Sequence, residues 1–224
     1  MATMRITSLL VLLMGLSAPA AAYDPLQVWH SSNEKDGFTN ATTYSSYGLA
    51  GSDHQLSNGQ WLFNNKAGYS IGLRCDVSAD GSKDFMLTFR VDSSLATPNS
   101  DAYVYLKVDS NQPLDFLGRL YSNSYRSGFV RMTPDNRSGL HSFISQAKAG
   151  KTLSVRVHDK RRSDIEDYSV LLRGFTQHTA QALNACGVTP EGQSMGQQDQ
   201  ARLREIEAQL KALESEKAEI LSRH

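Results

Sequence analysis

The chain has 224 residues, 23 basic and 23 acidic side chains, a formal net charge of zero, 40% hydrophobic residues and a mean hydropathy of −0.41. These values exclude a long disordered chain, a collagen-like repeat and a generally basic binder of nucleic acid or anionic lipid. Two cysteines are too few for a disulfide-dense mini-scaffold or a four-cysteine zinc site, but they suffice for one bridge.

The first segment reads as a signal peptide over residues 1–22. Arg5 supplies a positive start, residues 6–16 form an apolar run, and small residues follow up to Ala20-Ala21-Ala22, which places a cut before Tyr23. The run is well short of the roughly 20 residues that span a bilayer, and no cysteine at the cut offers a lipid anchor. Without this leader one Arg is lost, leaving 22 basic against 23 acidic side chains. The expectation is a periplasmic or secreted protein with no transmembrane segment after cleavage, in a compartment that permits disulfides.

Residues 23–188 read as a β-rich domain. Residues 70–77 alternate, with Ile71, Leu73, Cys75 and Val77 on one side. Asp80-Gly81 then supplies a turn, because glycine tolerates the positive φ of a tight hairpin. Residues 85–91 answer with Phe85, Leu87, Phe89 and Val91. A second hairpin runs from 102–108, where Tyr103, Tyr105 and Lys107 oppose Val104, Leu106 and Val108, to 114–121. Further strands are predicted at 128–132, 153–157 and 165–172. Residues 138–148 carry Leu140, Phe143, Ile144 and Ala147 at helical spacing with Gly150 as the stop, and 176–185 read as a closing helix. The predicted fold is mainly β, a small β-sandwich or barrel-like domain with minor helices.

Residues 189–197 are a linker by composition. Beyond it, residues 198–224 form an amphipathic, coiled-coil-like helix: Leu203, Ile206, Leu210, Leu213, Lys217 and Ile220 fall at alternating steps of three and four. Glu207 and Lys211 add an i, i+4 pair. Such a helix folds back on its own β-domain, pairs with another chain, or stands as a mobile solvated helix, and Lys217 weakens the seam and favours one register or partner.

Chemistry-bearing motifs are sparse. Cys75 and Cys186 are expected to pair, closing a loop of about 110 residues worth roughly 4–5 kcal/mol in the chain-entropy model. His30, His54, His141, His158, His178 and His224 follow no metal-ligand spacing and read as surface or turn histidines. No nucleophile elbow, P-loop or dinucleotide fingerprint occurs, so no catalytic, cofactor or metal set is assigned. Asp84, Asp92, Asp101, Asp109 and Asp115 fall at strand ends and turns, whereas carboxylates that hydrolyse a glycoside need a defined separation in space. Asp53-His54 reads as a chance dipeptide, and Lys160-Arg161-Arg162, flanked by acids, reads as a solvated loop. Tyr103, Tyr105, Tyr121 and Tyr125 offer either half-buried strand positions or an aromatic ligand surface.

Several short stretches together resemble the exported accessory proteins of type VI secretion systems, the VasI/TagO type. They are Val28-Trp29, the acidic turn Glu34-Lys35-Asp36, Ile71-Gly72-Leu73-Arg74-Cys75, Val104-Tyr105-Leu106-Lys107-Val108-Asp109, and the ending Leu183-Asn184-Ala185-Cys186-Gly187. The resemblance covers about residues 28–187. It implies a periplasmic β-rich domain with one disulfide, an assembly role with a protein partner in the envelope, and no catalytic centre. Val188 and the heptad tail depart from that pattern. The expected function is an exported, non-enzymatic accessory module. Its helix would self-associate or dock on a partner; the alternatives are a cell-wall hydrolase using its carboxylates and a soluble ligand-binding domain.

Overall fold

Alternating apolar positions build most of the sheet. In the computed structural model, which describes residues 26–161 and 163–188, nine strands and two helices follow in the order β1 (Trp29–Lys35), β2 (Thr42–Gln55), β3 (Trp61–Val77), β4 (Lys83–Arg90), β5 (Asp101–Val108), β6 (Leu114–Leu120), β7 (Ser127–Arg131), α1 (Arg137–Ala149), β8 (Thr152–Asp159), β9 (Ile165–Leu171) and α2 (Phe175–Cys186). The signal peptide (1–22), the linker (189–197) and the C-terminal helix (198–224) with its seam residues lie outside the described residues.

Both hairpins read from the alternation form as expected. Val77 pairs with Lys83 and Ser70 with Arg90, and Gly81 takes the turn at φ 83°. In the second, Leu106 pairs with Leu114 and Asp101 with Arg119. All strand pairings are antiparallel, and the ladder is one sheet of order β1-β2-β3-β4-β7-β6-β5-β8-β9. The mainly-β expectation holds, but the ladder is one continuous sheet, not two separately bonded ones. Two strands went unanticipated, β1 and β2, together with the first half of β3.

From β3 to β9 one face of this sheet is apolar. Ile71, Leu73 and Cys75 of β3, Phe85, Leu87 and Phe89 of β4, Val104 and Leu106 of β5, Val155 and Val157 of β8, and Val170 of β9 are all buried in one cluster. The helices complete it: α2 packs on β1 to β4, and α1 on β5, β6 and α2. Their inner faces, Leu140, Phe143, Ile144 and Ala147 of α1 and Phe175, Ala182 and Leu183 of α2, join the same core. Phe175 meets Trp29 edge-on at 4.9 Å. The chain leaves α2 through Gly187 at φ 67°, where the backbone N–H groups of Gly187 and Val188 return to the carbonyls of Asn184 and Leu183, a left-handed stop that glycine makes easily. At this point Cys186 is bonded to Cys75 of β3, with Cα atoms 5.7 Å apart across 111 residues of sequence.

The sheet curls until its last strand reaches its beginning. β9 lies against β2 and β3, yet no ladder joins them, so side chains close the seam. The Trp29 indole N–H donates to the Leu171 carbonyl at 2.8 Å, and the Tyr168 hydroxyl to the Ser70 carbonyl at 2.9 Å. Gly48 lets Trp29 lie this close, since a Cβ there would fall 2.5 Å from the indole and 2.8 Å from Val170. On β3 the register shifts between Leu49↔Ser70 and Gly51↔Asn65, two steps on one strand against five on the other. The surplus forms a bulge holding Lys66 over the ring of Tyr69 at 3.9 Å. Within it Gly68, at φ +86°, leaves room for Asp92. Tyr69 donates to Glu166 Oε2 at 2.7 Å, and Ser93 donates to the other oxygen of the same carboxylate.

This seam makes stability sensitive to alkali. The hydrogen bond to Glu166, reinforced by burial and by the charges of Glu166 and Asp92, pushes the Tyr69 hydroxyl up to about 12 from its ordinary 10.0; complete burial also raises Tyr168. Above the unfolded value the unfolded chain releases these protons while the folded chain keeps them, so stability falls as pH rises. The contribution of Tyr69 is therefore complete below pH 10 and lost through about pH 12. Urea unfolding across that window should show a falling midpoint in the wild type and a shallower fall in Tyr69→Phe; identical slopes would contradict the assignment.

Candidate functional site

The outer face of β5, β8 and β9 carries an open depression of about 610 Å³. That volume falls within the range of small-ligand sites. The pleat that buries Val104, Leu106, Val155, Val157 and Val170 turns their neighbours outward, and register sorts these into rows. One row is Tyr103, His158 and Ile165; the next is Tyr105, Arg156 and Asp167; the third is Lys107, Ser154 and Ser169. Leu117 of β6 lies opposite Tyr103 and extends the first row. Its exposure of 60%, with 50% for Ile165, leaves apolar surface at both ends of that row. Pro113, in the turn after β5, bounds the Lys107 end.

The rings of this face are packed on one another. His158 stacks with Tyr103 at 5.2 Å and 14° and with Tyr105 at 5.4 Å and 23°, an offset arrangement that aromatic quadrupoles favour. This explains how a histidine on the outward side of β8 is buried. Its Nδ1 lies 2.6 Å from the Asp159 carbonyl, and since a carbonyl only accepts, that nitrogen carries the proton in this assignment. Nε2 is then left as an acceptor.

The charges are unevenly spent. Arg156 holds Asp167 through two parallel bonds, Nε to Oδ1 and Nη2 to Oδ2, both 2.7 Å. This grip holds the Asp167 carboxyl below its ordinary value, with a smaller contribution from the charge of Lys66. By contrast, the side chains of Lys107, Ser154 and Ser169 and the hydroxyl of Tyr105 make no hydrogen bond or ion pair with other described residues.

Of the two readings of the four tyrosines, half-buried strand positions or one aromatic surface, the structure places them on separate surfaces. Tyr103 and Tyr105 line this face; Tyr121 packs on Phe129 at 5.1 Å, and Tyr125 stands in the loop before β7, 55% exposed. The histidines also need correction. His141 and His158 are buried, at 6% and 4% exposure, and His30 is half-buried and stacked on Tyr47. Burial, and then the charge of His178, lowers the His30 titration point. His178 lies 3.2 Å from the Ser31 hydroxyl, and His224 lies outside the described residues.

Most of the aspartates serve the fold. Asp84 pairs with Arg131 at 2.9 Å and Asp101 with Arg119 at 3.9 Å. Asp109 accepts from the backbone of Lys151 and Thr152. Asp53 belongs to an ion pair with Arg173 at 2.7 Å, which ties β2 to the turn before α2. Lys160 and Arg161 are exposed in the β8–β9 loop. Among the described residues no three His, Cys, Asp or Glu side chains gather as metal ligands, and no helix is long and apolar enough to cross a membrane.

No protein-family model matches the chain, nor does any curated protein or solved structure.

Proposed function

We propose that the protein is an exported periplasmic accessory module that binds an envelope component through the outer face of β5, β8 and β9, within an envelope or secretion-system assembly. Residues 198–224, with Leu203, Ile206, Leu210, Leu213 and Ile220, would supply a second contact, to a partner or to another copy. Export is supported by the leader pattern of residues 1–22 and by a bonded cysteine pair of the kind that persists in oxidising compartments. The observation that carries the binding reading is the trough itself. It has ligand-site volume, an ordered aromatic wall and polar side chains that the rest of the described chain leaves without partners. Stacking of Tyr103 and Tyr105 on the buried His158 fixes the wall before any ligand arrives, which lowers the ordering cost of binding.

Co-sedimentation with purified cell-wall sacculi and with outer-membrane vesicles tests this reading. Truncating the wall in Tyr105→Ala should reduce the bound fraction about tenfold, as loss of an aromatic anchor does at an interface. Equal binding by wild type and variant would remove the trough from the function. Reproducible clearing of cell wall in a gel, abolished by Glu166→Gln or Asp167→Asn, would instead establish a hydrolase.

A further inference from the structure

Resting on the reading that the trough binds, we propose that its ligand carries a single carboxylate at one end and an apolar group at the other, the carboxylate being held by Lys107, Ser154 and Ser169. These three residues face one another across consecutive strands: Lys107 is the register partner of Ser154, and Ser154 of Ser169. Neighbouring strands lie about 4.8 Å apart, so the row spans about 10 Å, with Ser154 at its centre and the long Lys107 side chain able to reach a carboxylate seated on either hydroxyl. All three residues are exposed, and none is engaged by another described side chain.

The sign and number of the charge follow from the lining. Its charged residues are Lys107, Arg156 and Asp167, and the last two satisfy each other in a bidentate pair. One positive charge is left over. A monoanion matches Lys107, and Asp115, the outward register partner of Tyr105 on β6, sets a negative charge on the same face against a ligand of higher negative charge. Arg156 uses two of its five N–H donors on Asp167, so three are left for neutral oxygens of the ligand.

The far end differs in character. Four residues along β5 from Lys107 stands Tyr103, about 13 Å away at the rise of an antiparallel strand. Its row offers the buried His158 and the half-exposed Ile165. A ligand spanning these rows meets an anion seat, then hydrogen-bond donors, then an apolar bed. Two sources supply that chemistry, a medium-chain aliphatic acid or the free carboxyl end of a short apolar peptide.

Titration calorimetry on the full chain separates them, with decanoate and acetyl-leucyl-alanyl-alanine as probes and their carboxamides as controls. At least one acid should bind, its amide should bind about tenfold more weakly, and Lys107→Gln should cost a similar factor, the usual weight of a charge-assisted hydrogen bond. Ser154→Ala should cost less, about threefold, as a neutral donor does. Failure of both acids, equal binding of acid and amide, or an unaltered Lys107→Gln would overturn the proposal. If those results coincided with Tyr105-dependent co-sedimentation, the trough would still bind, but not through an anion.

Discussion

Replacing both Cys75 and Cys186 with alanine should lower the stability of the folded chain by about 4–5 kcal/mol, the chain-entropy value for a loop of this length. The bond spans 111 residues, from the end of β3 through β9 to the end of α2, so the unfolded chain gains the freedom of a very long loop when it is cut. For a domain of this size the thermal midpoint should fall by roughly 10–20 °C. The location enlarges the consequence. Cys75 is fully buried near the end of β3 and Cys186 is the last residue of α2, so the bond fixes the end of the helix that fills the core over β1 to β4. Thermal unfolding of the wild type with reductant should match the double variant without it. A shift of less than about 3 °C, under one kcal/mol at this size, would mean that Phe175, Ala182 and Leu183 hold α2 without help.

How much of this architecture can be read from the sequence depends on whether one face of a strand is buried. β5 and β8 bury every second residue, Ala102, Val104, Leu106 and Val108 in one and Leu153, Val155 and Val157 in the other, and both are legible as strands. β1 reads Trp29-His30-Ser31-Ser32-Asn33-Glu34-Lys35 and is exposed from Ser31 onward. It is a strand because β2 pairs with it along its whole length, a long-range cause that leaves no periodicity behind. β2 is similar: Ser45, Ser46, Ser52 and its two glycines, Gly48 and Gly51, carry little intrinsic strand preference. The single-sheet closure was also invisible, because it rests on Trp29 and Tyr168 reaching carbonyls more than ninety residues away in sequence.

The candidate site was half legible for the same reason. Tyr103 and Tyr105 stand out as an outward aromatic pair on a strand whose other face is apolar. Their partner His158 did not, since nothing in the sequence places it opposite β5, and its burial comes from those two rings. Lys107, Ser154 and Ser169 are ordinary strand residues one at a time. Only the β5–β8 and β8–β9 registers set them side by side. Tyr121 and Tyr125 match Tyr103 in residue type yet belong to other surfaces, so composition alone overstates the size of the aromatic face.

The other large effect is expected at Trp29. Its side chain is 1% exposed, lies edge-on to Phe175 of α2, covers Gly48 of β2 and donates to the Leu171 carbonyl at the end of β9. One residue thus touches the first strand, its hairpin partner, the last strand and the closing helix, at the seam where no backbone ladder exists. Trp29→Ala empties that space. Gly48 has no side chain to move into it, so the cavity should persist and the cost should approach the upper part of the usual 3–5 kcal/mol for aromatic truncation. Trp29→Phe separates packing from hydrogen bonding: it keeps most of the buried area but leaves the Leu171 carbonyl without its donor, for a loss of about 1–3 kcal/mol. Urea unfolding of the two variants should rank them in that order. If Phe proved as costly as Ala, the indole N–H bond, not the filled space, would be what holds the sheet closed; if both were near neutral, the seam would depend on Tyr69 and Tyr168 alone.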